Sequence, residues 1–275
     1  MEKFQQLTSG ELRVLCGKVQ VLSMRIGKFI EEEREKVNPS HIEKKGRADF
    51  VSYVDRTSEK YFVEELKEIF PGAGFIAEEN ADHKQEEIYN WVIDPLDGTT
   101  NYLHGFPMFA TSVALLENGQ PVLGVIFEIN RKECFYTWKS GGAWMNGEKI
   151  AVGKKNTLSE ALIATGFPYS SQGWHTPYMH VFSDVQQASI GIRRPGSAAT
   201  DIAYVACGRL DGYYECGIHA WDVAAGALLV QEAGGIVTDF NGRNDFIFGE
   251  RFVCGNKNVQ KELLQIIQKH FKKQE

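Results

Sequence analysis

The sequence predicts an α+β first half that passes into an α/β second half. Three observations carry that reading: a helical stripe near the N-terminus, a middle stretch of short strands joined by tight turns, and an alternation of strand-like and helix-like segments thereafter.

Leu15, Val19, Leu22, Ile26, Phe29 and Ile30 stand at spacings of four, three, four, three and one, which makes one apolar stripe along a helix. The charge run from Glu31 to Lys36 reads as its solvated end. A second helix is expected from Thr57 or Ser58, carrying Phe62, Leu66 and Ile69 until Pro71-Gly72 stops it. Between residues 91 and 152 the period shortens, and Asn118-Gly119, Asn130-Arg131 and Asn146-Gly147 punctuate an antiparallel meander with tight hairpins. Residues 161–165, 211–215, 236–239 and 252–254 then read as strands. Residues 197–207 and 223–233 read as helices, and 259–271 as a final amphipathic helix. No repeat or low-complexity linker intervenes. The expected division is residues 1–153, an α+β domain, and 154–275, an α/β domain, sharing an extended interface.

Composition narrows the function classes. With 275 residues, 43% hydrophobic and 24% charged, the chain can bury a sizeable core and does not resemble a disordered protein. Its longest apolar runs, such as residues 121–127, are strand-sized, and its start lacks a signal-peptide core. A cytoplasmic protein without a membrane partner is therefore expected. Five cysteines without C-x-x-C spacing read as reduced thiols. A net charge of -6 argues against direct nucleic-acid binding, which needs a basic face. It does not argue against a phosphate ligand, because a bound divalent cation reverses the local field.

The chemistry concentrates in Trp91-Val92-Ile93-Asp94-Pro95-Leu96-Asp97-Gly98-Thr99-Thr100-Asn101. An apolar strand ends in a carboxylate, and Pro95 removes a ladder donor and turns the chain outward. A second carboxylate follows, then a glycine whose neighbouring amides can face an anion. Alone, such a loop reads as aspartates capping turns. Three further acidic segments shift the balance: Glu78-Glu79 after Phe75-Ile76-Ala77, Asp222 at the start of a small-residue helix, and Asp55 before the second helix. Asp222 and Asp55 also read as N-caps, and capping does not prevent metal ligation. Carboxylates from separate segments, without His or Cys, suit Mg2+, which takes oxygen ligands at about 2.0–2.1 Å. Two such ions about 3.5–4 Å apart would clamp an in-line displacement at phosphorus.

Other signals are weaker. Gly142 to Lys149 imitates a phosphate-binding loop, but Glu148 replaces its lysine and Asn146-Gly147 makes a hairpin the better reading. His104 and His219 lie beside the acidic motifs, where packing explains them. No G-x-S-x-G elbow supports acyl transfer.

Residues 91–101 resemble the first signature of the inositol monophosphatase family, and Trp221-Asp222-Val223-Ala224-Ala225-Gly226 resembles the second. Residues 45–55, Glu78-Glu79 and Gly196-Ser197-Ala198-Ala199 fall in the family's order, so the resemblance spans almost the whole chain. It implies a layered α-β-α-β-α sandwich, often a homodimer, that hydrolyses a small phosphate monoester with two to three Mg2+ ions and is sensitive to Li+. Glu78, Asp94 and the Leu96 carbonyl would bind the first ion, Asp94, Asp97 and Asp222 the second, and Glu78 would support a weaker third. The amides of Gly98 and Thr99 would hold phosphate. The Thr99 hydroxyl, oriented by Asp55, would position or deprotonate the attacking water, with Glu78 as the competing base. Glu215 and Gly196-Ser197-Ala198 would meet the substrate alcohol, with Asp97 and Asp222 also on the substrate side, and Lys45 (or its neighbour Lys44) would lie near the metals. Pro195 is a local departure beside the alcohol site.

Within the resemblance, Asp97 to Tyr102 together with Glu215 favours an inositol phosphate. Fructose 1,6-bisphosphate, histidinol phosphate and 3'-phosphonucleotides are the rival substrates. A regulatory binding protein of the same fold is the rival from another class, and retention of Asp55, Glu78, Asp94, Asp97, Thr99 and Asp222 argues against it.

Overall fold

The computed structural model describes residues 6–34, 43–44, 50–51, 53–168 and 173–271. Helix α1 (Ser9–Arg34) carries the expected stripe, with Leu15, Val19, Leu22, Ile26 and Ile30 buried. A two-stranded ribbon, β1 (Glu43–Lys44) and β2 (Phe50–Val51), precedes α2 (Tyr53–Ile69). That helix begins four residues ahead of the expected start. Val54 is fully buried, and Thr57 sits inside the first turns, donating its hydroxyl back to the Tyr53 carbonyl at 2.7 Å instead of capping.

The meander follows as β3 (Gly74–Ala77), β4 (Tyr89–Asp97), helix α3 (Thr99–His104), β5 (Ala110–Glu117), β6 (Gln120–Glu128), β7 (Glu133–Trp138), β8 (Ala143–Met145) and β9 (Glu148–Ile150). These strands lie in chain order in one seven-stranded sheet, antiparallel from β4 onward, with β3 parallel to β4 at its edge. Asn118-Gly119 and Asn146-Gly147 both take positive φ in two-residue hairpins, as the mirror-image turns require. The second of these is the loop that imitates a phosphate-binding motif.

The other half runs β10 (Leu162–Thr165), α4 (His175–Ala188), β11 (Gly191–Arg193), α5 (Ala198–Ala206), β12 (Gly212–Cys216), α6 (Ala220–Glu232), β13 (Ile236–Thr238), β14 (Arg251–Gly255) and α7 (Lys257–His270). Its five strands form a mixed sheet in the order β11-β10-β12-β14-β13. Helices α3 and α4 had no counterpart in the expectation, and α6 starts three residues ahead of it.

Strand alternation sets the layers. Trp91, Ile93, Val113 and Leu115 face α1 and α2, while Val92, Ala110 and Ala114 face the opposite way, toward α5 and α6. Tyr213, Phe252 and Cys254 of the second sheet cover the other side of α5 and α6, and Tyr214 and Val253 face α4 and α7. The result is the α-β-α-β-α sandwich that the resemblance implies. Helix α6 is apolar all round because it lies between two sheets. It approaches β6 so closely that a Cβ at Gly124 would stand 2.8 Å from the Ala225 carbonyl oxygen. All five cysteines are free thiols. Among the described residues, no helix is long and apolar enough to cross a membrane.

Candidate active site

Strand β4 delivers the central carboxylates. It does not end at Asp94: the ladder shifts register between Asp94 and Asp97, and the strand rejoins β5 at Asp97 opposite Ala110. Pro95, which has no N–H to offer the ladder, sits inside this bulge. The bulge leaves Asp94 (1% exposed) and Asp97 (7% exposed) on the same side of the sheet end. Asp94 is turned by the Leu96 amide, which donates to its Oδ1 at 2.9 Å.

Asp222 arrives from α6. It is not the N-cap but the third helical residue, and it reaches back to accept the His219 amide at 2.8 Å. Ser112, directly opposite Asp94 in the β4–β5 register, donates its hydroxyl to the Trp221 carbonyl at 3.1 Å. One buried serine thus ties the strand of Asp94 to the start of the helix of Asp222. Asp94, Asp97 and Asp222 each offer an oxygen within 4.8 Å of the others. Glu78 follows β3, where its amide donates to the Ile93 carbonyl at 3.3 Å and so extends the parallel pairing beside Asp94.

The electrostatics follow from this crowding. Burial, then the charges of Glu78, Asp97 and Asp222, push the Asp94 carboxyl well above the usual range. Burial and Asp97 do the same to Asp222. Burial raises Asp97 to about 6, against hydrogen bonds from Ser197 and the amides of residues 198–200. A cluster of oxygens whose negative charges oppose one another is a donor set suited to a hard cation, which would relieve that opposition.

Asp97 also caps another element. Its Oδ2 accepts the Ser197 hydroxyl at 2.5 Å and the Ala199 amide at 2.8 Å, and its Oδ1 accepts the Ala198 amide at 3.2 Å. A carboxylate on the first turn of α5 is favoured by the amides left unpaired there. Gly98 follows with φ 93° and ψ 33°, the left-handed conformation that opens α3. A Cβ at Gly98 would stand 2.9 Å from the Met108 oxygen and 3.3 Å from the Gly196 oxygen. Asn101 ties the same two loops, donating to Met108 at 2.8 Å and to the Pro195 carbonyl at 2.9 Å. Pro195, which has only its carbonyl to offer, uses it here.

Thr99 donates its hydroxyl to the Leu96 carbonyl at 3.0 Å. Asp55, in the first turn of α2 and 1% exposed, is near enough to α3 that its charge, after burial and Tyr53, helps raise the Tyr102 phenol. Glu215 of β12 accepts the Tyr213 hydroxyl in a short bond. Its carboxylate fills the space of a side chain at Gly166, where a Cβ would stand 2.0 Å from Oε1. Burial raises Glu215 to about 7, while the Tyr213 bond and Arg194 act in the opposite direction.

Ser197 and the Ala198 amide, expected at the substrate alcohol, are therefore occupied with Asp97. His219 stacks flat on Trp221, with centroids 4.7 Å apart, and it is its amide that serves Asp222. Lys45 and the side chain of Lys44 lie outside the described residues. Four residues escaped the sequence reading: Glu59, Ser112, Gly166 and Asp201. Glu59 stands four residues after Asp55, and Asp201 four after Ser197, so helical spacing carried a signal for both. Asp201 is 2% exposed, its Oδ1 meets no hydrogen-bond partner among the described residues, and burial with Asp97 and Glu215 pushes its carboxyl up.

The sequence profile of the inositol monophosphatase family matches residues 12–272. An inositol-1-monophosphatase of Mesorhizobium japonicum is 40% identical over 248 residues, covering 90% of this chain and 93% of that protein. A Nus factor SuhB of Xylella fastidiosa is 43% identical over 248 residues, covering 88% and 90%. Among solved structures, the extragenic suppressor protein suhB from Bartonella henselae superposes with a TM-score of 0.88 at 37% identity, covering 93% of this chain and 98% of that one. The IMPase of Thermotoga maritima superposes with a TM-score of 0.82 at 33% identity, covering 91% and 95%.

Proposed function

Because the chain belongs to the inositol monophosphatase family, we propose that it is a Mg2+-dependent phosphomonoesterase acting on myo-inositol monophosphate or a similar small polyol phosphate. The observation that carries the reading is the convergence of Asp94, Asp97 and Asp222 within 4.8 Å, from a strand end and a helix start, with Glu78 alongside.

Glu78, Asp94 and the Leu96 carbonyl would hold one cation, Asp94, Asp97 and Asp222 a second, and Glu78 would support a weaker third. When bound, Mg2+ would supply an acidified water and neutralise the phosphate. The residues do the rest. The amides of Gly98 and Thr99 orient phosphate oxygens at the left-handed opening of α3. The Thr99 hydroxyl, which donates to the Leu96 carbonyl in the structure, would turn toward the water with Asp55 beside α3. It positions the water, or takes its proton while passing its own to the Asp55 carboxylate, and Glu78 is the competing base. A P–O bond to water forms as the P–O bond to the alcohol breaks, and the departing alkoxide takes a proton from solvent water. Glu215 accepts hydroxyls of the alcohol, next to the backbone of Gly196.

Phosphate release from a panel of monoesters, with and without Mg2+ and with Li+ added, tests the proposal. Mg2+-dependent turnover led by inositol 1-phosphate supports it. Turnover led by fructose 1,6-bisphosphate, histidinol phosphate or a 3'-phosphonucleotide keeps the mechanism and moves the substrate. Folded protein that turns over none of them would refute it and favour a binding role of the kind named in the SuhB relatives.

A further inference from the structure

Glu59 is a carboxylate in an unusual place. It lies on α2, 4% exposed, and a buried glutamate is rare unless partners hold it. Its Oε2 accepts the Glu79 amide at 2.8 Å, and its Oε1 faces His83 Nε2 at 3.2 Å. Both partners belong to the turn that follows β3. One residue earlier, the Glu78 amide donates to Ile93 of β4 at 3.3 Å. Two consecutive amides are therefore pinned from two sides, the first by the sheet and the second by a buried side chain of α2. The residue between those anchors is Glu78, whose charge is felt by Asp94.

We propose that Glu59 is a positioning residue that sets the Glu78 carboxylate for cation binding by holding the Glu79 amide. The inference rests on the proposed function, in which Glu78 is a cation ligand. Glu59 touches neither cation nor substrate; it acts through the backbone. Support of this kind is worth about 10- to 100-fold in metal affinity where it has been removed elsewhere.

Two variants separate the geometric role from an electrostatic one. Glu59→Gln removes the charge but keeps the length and an acceptor oxygen for the Glu79 amide, and its NH2 can donate to neutral His83. Glu59→Asp keeps the charge but withdraws the acceptor by one methylene. Mg2+ binding to each is measured by calorimetry alongside the Mg2+ half-saturation of turnover, with thermal melts as the check on folding and hydrogen exchange at the Glu79 amide in the metal-free protein. The expected result is an affinity loss of about tenfold in E59D, with faster Glu79 exchange and little change in kcat at saturating Mg2+. In E59Q, affinity should stay within about twofold of the parent. The inference is overturned if E59D binds Mg2+ like the parent, or if E59Q loses as much as E59D, since the charge would then be what matters. A parent protein that binds no Mg2+ would overturn the proposed function itself, and this inference with it.

Discussion

Ser197 donates its hydroxyl to Asp97 Oδ2 at 2.5 Å, and so seats a carboxylate of the first sheet on the helix that begins the other half's contribution to the site. The same oxygen of Ser197 accepts the Thr200 amide as the N-cap of α5. Cap and site therefore share one atom.

Ser197→Ala should remove both roles together. Loss of an N-cap costs about 0.5–2 kcal/mol, roughly 2–4 °C in Tm per kcal/mol for a chain of this size. Asp97 would keep its amide donors but lose its hydroxyl donor, so the Mg2+ half-saturation should rise by about an order of magnitude. Thermal melts and Mg2+ titrations check the two effects separately. A variant less stable yet unchanged in Mg2+ dependence would show that the bond serves the helix alone.

Asp97→Asn should leave the fold intact, because an amide oxygen in the place of Oδ2 can still accept from Ser197 and the Ala199 amide, and only the weaker bond from Ala198, at 3.2 Å, is lost. Turnover should nonetheless fall by several orders of magnitude, since the variant loses a charge at the centre of the cluster proposed to hold the cation. Near-normal kcat with unchanged Mg2+ dependence would remove Asp97 from the metal assignment.

The proposed ligands were legible because each acid stands at or near the end of an apolar strand or opens a helix, positions that a one-dimensional pattern marks. Their supports were not. Ser112 and Glu59 act on the backbone of other segments, through the Trp221 carbonyl and the Glu79 amide, and no spacing shows which distant carbonyl or amide a side chain will meet. The layers were legible as two kinds of half, and their stacking became so only through the family resemblance. Helix α4 was hidden by Pro177, which looks like a breaker but stands in the first turn, where no amide is needed. The six residues of α3 are too short for periodicity and read as part of the Asp97-Gly98 turn.

Stability should depend on pH more steeply without the cation than with it. Asp97 rises to about 6 in the fold, and Asp94 and Asp222 are shifted the same way. In an unfolded chain such carboxyls titrate at about 3.9. Raised acids hold protons longer in the folded state, so their stabilising contribution is complete below about pH 4 and is lost as pH rises through about 6. The Tm of metal-free protein should therefore fall between roughly pH 4 and 6, and millimolar Mg2+ should flatten that fall by binding the ionised cluster. Calorimetry in buffers of different ionisation enthalpy should also detect protons released on Mg2+ binding near pH 6. A metal-free Tm that climbs with pH across this window would contradict the assignment of these shifts.

Gly166→Ala tests the alcohol side without touching a proposed ligand. The new Cβ would stand 2.0 Å from Glu215 Oε1, a distance no structure tolerates, and 2.2 Å from the rest of the carboxylate. The backbone at Gly166 is held by the Tyr178 hydroxyl, which donates to its carbonyl at 2.6 Å, so the side chain of Glu215 must give way. Its bond from Tyr213 would be stretched or broken, leaving a buried hydroxyl and carboxylate less well paired at a cost of about 1–3 kcal/mol. Because Glu215 holds no cation in this reading, the Mg2+ half-saturation should stay near that of the parent. What should change is the ranking of polyol against nucleotide monophosphates by kcat/KM, and in the same direction as in Glu215→Ala. If Gly166→Ala lowers turnover of every ester equally, or leaves the ranking as it was, Glu215 does not set the alcohol specificity.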